Sequence, residues 1–126
     1  EGFANLQAAR PGALELFHWA AATPGVRIVF STDANAGSHG SNTDELVAYV
    51  EQGGQYPMDA VVSATSLAAE SLRMEDRIGA IATGFEADII ALDGGPLTDP
   101  AALGRVVFVM RGGRVYKNDA PQASAR

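Results

Sequence analysis

The stretch Val26-Arg27-Ile28-Val29-Phe30 does most to narrow what this chain can become. It is short, β-branched and uncharged apart from Arg27, the pattern of a strand buried on both faces. Helical signals flank it. Upstream, "ALELFHWAAA" (residues 13–22) places Leu14, Phe17 and Ala21 on one face, and Thr23-Pro24-Gly25 punctuates its end. Downstream, Asn42 is expected to cap a helix with Glu45 bonding back to it. Leu46, Val47 and Val50 form the apolar face of that helix, and Gly53-Gly54 stop it. Helix, buried strand and helix in that order are the unit of a parallel α/β sheet or barrel.

Pro57 suits the first turn of a further helix. Residues 58–74 read as one or two Ala-rich helices with Val61, Val62, Ala68 and Leu72 inward. The texture changes near residues 75–79. Beyond it, Ile89 to Leu92 is the clearest strand, and "RVVFVMRGGRVYK" is a hairpin whose Gly112-Gly113 pair supplies positive φ angles. The small polar residues from Asp119 to Arg126 form an expected mobile tail. Three or four short strands do not cover both faces of a sheet, and open edges invite pairing. The β half therefore expects strands from elsewhere.

With 126 residues the chain can build one ordinary core. Its net charge of −6 leaves no basic stripe for a nucleic-acid backbone, so no such partner is expected. The lack of cysteine excludes disulfides, thiolate metal sites and cysteine nucleophiles. No apolar run approaches the roughly 20 residues of a membrane span, and no signal peptide is visible. Composition leaves the compartment open, with the cytoplasm favoured. The missing initiator Met hints that the chain begins inside something longer.

Asp33 follows the buried strand at its carboxyl end, where the loops of α/β barrels open onto an active site. A carboxylate there can ligate a divalent metal or accept a proton from an attacking water. Asp also caps turns by satisfying nearby amides, and spacing alone slightly favours that role. His39, in "GSHGSN", lies in a Gly-flanked loop from which it can reach a substrate or simply face solvent. His18, between Phe17 and Trp19, reads as an ordinary helix residue. Asp88 and Asp93 have turn and strand-end roles. The serines around Asp33 lack a G-x-S-x-G elbow, and the glycines of residues 36–40 match no phosphate-binding motif.

Taken in order, these residues resemble the metal-dependent amidohydrolases, in particular the imidazolonepropionase-like and prolidase-like group. The match begins with an apolar strand, Thr32-Asp33-Ala34, His39-Gly40-x-Asn42 and Glu45-Leu46. It continues through Ala64-Thr65, Arg77-Ile78-Gly79, Gly84, Ala87-Asp88 and Asp93-x-x-Pro96-Leu97 to the closing hairpin. The series covers roughly residues 13–117.

The resemblance implies the C-terminal part of a (β/α)8 barrel over residues 1–78 and strands of a composite β-sandwich over residues 79–118. Asp33 would be the aspartate after the last barrel strand, both metal ligand and proton shuttle. His39 and Asn42 would face the substrate. A glycine is usual where Ser31 stands. The family's His-x-His pair, carboxylated lysine and further histidines are missing: the chain holds two histidines, and Lys117 lies in the hairpin. A divalent metal, zinc by preference, would thus find an incomplete site, and the chain alone would be inactive, since catalytic zinc usually has about three protein ligands. The remainder of the same protein, or self-association, would complete it around a small-molecule or short-peptide substrate. A non-catalytic assembly module with a retired loop is the alternative, and a small anion-binding domain ranks last.

Overall fold

The computed structural model describes residues 2–34 and 39–119. A long first helix, α1 (Gly2–Ala22), starts well before the expected residue 13 and carries Pro11 in its interior. The helix ends where Thr23-Pro24-Gly25 was expected to end it, Gly25 taking a φ of +86°. Helix α2 (Asn42–Glu51) and the turn at Gly53-Gly54 follow. The Ala-rich region is two helices, α3 (Pro57–Ser63) and α4 (Ser66–Ser71), with Pro57 in the first turn of α3 as expected.

The segment Val26–Phe30 is extended but is not a strand. A β-branched run adopts an extended backbone easily, whereas a ladder needs a neighbour, and no described residue supplies one. A single backbone bond, from Phe30 N to Ser63 O at 3.1 Å, ties the end of the segment to α3. Arg27 grips Glu70 of α4 through both guanidinium nitrogens.

In the second half, β1 (Ile89–Leu92), β2 (Val106–Arg111) and β3 (Arg114–Asn118) form an antiparallel sheet in the order β1-β2-β3. Gly112 and Gly113 take φ of +55° and +78° at the hairpin turn, where Asp88 accepts the Gly112 N–H at 2.7 Å. A 3-10 helix (Pro100–Gly104) between β1 and β2 rests on α2. The core therefore spans both halves: Leu46 of α2, Ala60 of α3 and Leu103 of the 3-10 helix are buried together, with Phe30, Tyr49, Val50 and Leu92 against them. Tyr49 links three elements. Its ring is 4.6 Å from Phe17 of α1 and 5.6 Å, edge-on, from Phe30.

Two expected inward residues face out instead. Val62 and Leu72 are exposed, and the buried positions of α3 and α4 are Ala60, Ser63 and Ala69. The break at residues 64–65 resets the helical phase, so one continuous stripe cannot serve both helices. Leu72 instead lines an open apolar groove of about 560 Å³ shared with Ile81 and Ile90.

Arg105 organises the loop between β1 and the 3-10 helix. Its Nε donates to Asp93 O at 2.8 Å, its Nη2 pairs with Asp99, and its own carbonyl accepts Asp93 N–H. The hydrogen bond from Arg105 holds the Asp99 carboxyl below its ordinary range, with a backbone N–H from Ala101 acting the same way. A depressed folded pKa contributes stability above the unfolded carboxylate value and loses it as pH falls through the folded one. Asp99→Asn is thus expected to lower the urea midpoint slightly at pH 7, and the gap to wild type should close in the acid range. An unchanging gap would mean that the ion pair with Arg105 does not carry the difference, since Asn keeps an oxygen for the Ala101 N–H.

Candidate functional site

The extended segment delivers Thr32 and Asp33 to the point where the chain leaves the apolar layer. Thr32 is half-buried and Asp33 exposed. Asp33 has a φ of +44°, in the left-handed region that L residues enter at a cost and where Asp and Asn are enriched. The backbone thus turns at Asp33 and leaves it exposed. Residues 35–38, which include Ser38 and the first glycine of the expected loop, lie outside the described residues.

The chain is described again from His39, which is exposed in a turn with Gly40 at a φ of +100°. Asn42 does not cap α2. Ser41 occupies the cap position without a side-chain bond, and Asn42 is the first helical residue. Its amide turns back toward the segment before Asp33: Nδ2 donates to Thr32 Oγ1 at 3.0 Å, and Oδ1 accepts the Gly40 N–H at 3.2 Å. The amide geometry matches these two partners, one an acceptor and one a donor, better than it matches the free amides of α2. Thr32 is the participant that spacing did not single out. Its position beside Asp33 was visible, but nothing in the sequence pairs it with a residue ten positions on.

Asp33 supplies the hard oxygen donor that a divalent ion prefers, and the ion pairs among the described residues do not involve it. That chemistry fits one ligand of a metal. Among the described residues no group of three or more His, Asp or Glu side chains gathers to complete such a site. His18 lies on α1 against Gly54, exposed and apart from any such cluster. Asp88 serves the hairpin turn, and Asp93 is held through its backbone by Arg105. Both fill the structural roles expected of them.

The model of the amidohydrolase family matches residues 13–116. The chain belongs to the amidohydrolase family. It is 36% identical to the ochratoxinase of Aspergillus niger over 124 residues, covering 93% of this chain and 25% of that protein. The chain thus spans about a quarter of the length of the curated relatives it matches. Among solved structures, a Xaa-Pro dipeptidase with methionine bound in its active site superposes with a TM-score of 0.80 at 40% identity, over 86% of this chain and 26% of that one. The A. niger ochratoxinase superposes at 0.75 with 34% identity, over 93% and 27%. A prolidase complexed with N-methylphosphonate-L-proline gives 0.69 at 32% identity, over 85% and 26%. The mixed helix and strand arrangement of this amidohydrolase chain is accordingly that of a portion of much longer proteins. No helix among its described residues is long and apolar enough to cross a membrane.

Proposed function

We propose that this chain is the C-terminal segment of a metal-dependent amidohydrolase that hydrolyses the C–N bond of an amide, peptide or cyclic amide. Residues 1–78 are its last (β/α)8 barrel units, and residues 79–118 add strands to a β-sandwich completed by the rest of the protein. The expected tail from residue 119 lies, beyond Asp119 itself, outside the described residues. One observation carries the reading. In a member of this family, Asp33 presents an exposed carboxylate at the carboxyl end of a lone extended apolar segment.

Asp33 would hold a divalent ion, zinc by preference, together with ligands from other strands of the full protein. The bound ion supplies Lewis acidity toward water and the scissile carbonyl. A carboxylate oxygen of Asp33 takes a proton from the attacking water and passes it to the departing nitrogen, which leaves as a neutral amine. His39, on its Gly-flanked turn, faces the substrate, and its imidazole can donate or accept a hydrogen bond there. The dipeptidase and prolidase among the similar structures support a small amide or short peptide as substrate.

The test is hydrolysis of Xaa-Pro dipeptides and N-acyl amino acids by the full-length protein before and after chelation. Activity should vanish on metal removal and return with zinc, while the 126-residue chain alone stays inactive. Hydrolysis that survives exhaustive chelation would overturn the metal role. A folded, metal-free oligomer that cleaves none of these amides would favour the non-catalytic assembly module.

A further inference from the structure

We infer that Asn42 is a positioning residue, a clasp that fixes the His39–Gly40 turn to the end of the segment carrying Asp33. The inference rests on the catalytic reading of Asp33 given above. Its physical basis is the half-buried amide whose Nδ2 is bonded to Thr32 Oγ1 at 3.0 Å and whose Oδ1 is bonded to Gly40 N at 3.2 Å.

Those two partners are the immediate neighbours of the two proposed site residues. Thr32 precedes Asp33, and Gly40 follows His39. One planar side chain therefore sets the separation of two backbone points that the sequence places eight positions apart. Both points need holding. Asp33 sits at a φ of +44°, a conformation that persists only when its surroundings over-determine it. Gly40 sits at a φ of +100°, open to a Gly residue but not enforced by one. Asn42 is itself anchored as the first residue of α2, whose Leu46 is in the core. The clasp thus connects the site to a helix packed into the core. Both hydrogen bonds of the amide are made within the chain, to Thr32 and to Gly40, which assigns it to holding the turn.

Displacing a catalytic group by about 1 Å costs on the order of a hundredfold in rate. In the full-length protein, Asn42→Ala should lower kcat about 10- to 100-fold with KM within about twofold, because orientation rather than binding is lost. Thr32→Val, which removes only the acceptor, should lower kcat in the same sense. The double variant should be no worse than Asn42→Ala, since both act through one bond. Hydrogen exchange at the Gly40 amide should accelerate in Asn42→Ala and stay slow in Asp33→Asn. That readout needs no activity, so it separates failure of the clasp from failure of the catalytic assignment. A loss confined to KM would make Asn42 a substrate ligand and overturn the proposal. Additive losses, an unchanged kcat, or Gly40 exchange that is fast in wild type would overturn it as well. If Asn42→Ala does not fold, an unchanged kcat in Thr32→Val decides against it.

Discussion

Asp33→Asn in the full-length protein is expected to lower kcat by roughly a thousandfold or more, the scale lost when a proton-transfer group is removed. The substitution keeps the size and planarity of the side chain but removes its basicity and its negative charge. It therefore removes the proton acceptor and weakens the metal ligand together. The fold should not notice. Asp33 is exposed, takes part in no ion pair among the described residues, and occupies a left-handed φ of 44° that Asn adopts as readily as Asp. Unfolding free energy should stay within about 0.5 kcal/mol of wild type, as for exposed substitutions generally. Thermal denaturation, bound-metal content and steady-state kinetics measured on one preparation would settle the matter. Near-normal turnover with normal metal content would return Asp33 to the turn-capping role that its spacing alone slightly favoured.

How far the sequence discloses this molecule depends on whether the deciding interaction is local. The hairpin was legible because Gly112-Gly113 states its own backbone requirement, and both residues have positive φ. Pro57 and Thr23-Pro24-Gly25 marked helix boundaries for the same reason. Asp33 was legible as a candidate because an apolar run stops at it. What the sequence concealed is non-local. Val26–Phe30 has strand chemistry without a strand, since a ladder is made by neighbours rather than by propensity. Asn42 has capping chemistry, yet its amide finds Thr32 and Gly40. Pro11 has helix-breaking chemistry, yet α1 continues through it. Leu72 was expected inside on periodicity and lies outside at 65% exposure, because α4 is only six residues long and buries Ala69 instead. The resemblance to a known family carried the site further than periodicity did, since it orders residues that no local rule connects.

Gly79→Ala is expected to destabilise the chain strongly while leaving the proposed site chemistry untouched. Gly79 belongs to the Arg77-Ile78-Gly79 element, whose first residue pairs with Glu86 at 2.7 Å and accepts the Glu86 N–H through its carbonyl at 2.8 Å. At Gly79 the backbone takes a φ of +85°, and the chain passes directly over the start of α4. A methyl group there would lie 2.7 Å from Ala69 Cβ, 2.8 Å from Thr65 O and 3.0 Å from Ser66 Cα. None of these is the free end of a flexible side chain. Thr65 O is committed to the Ala69 N–H at 2.9 Å, and Ala69 is 2% exposed. Forcing an L residue into the left-handed region costs about 1–2 kcal/mol. Overpacking a tight contact adds about 1–3 kcal/mol. Together they predict a loss on the order of 2–5 kcal/mol, read as a fall in the urea midpoint. Gly112→Ala is the control: its φ of +55° imposes the conformational cost, but nothing lies within 4 Å of the added methyl. It should lose only about 1–2 kcal/mol. Equal losses at the two positions would mean that the α4 contact yields without cost. A larger loss at Gly79 would show that this close approach to the start of α4 helps hold the second half of the chain against the helices.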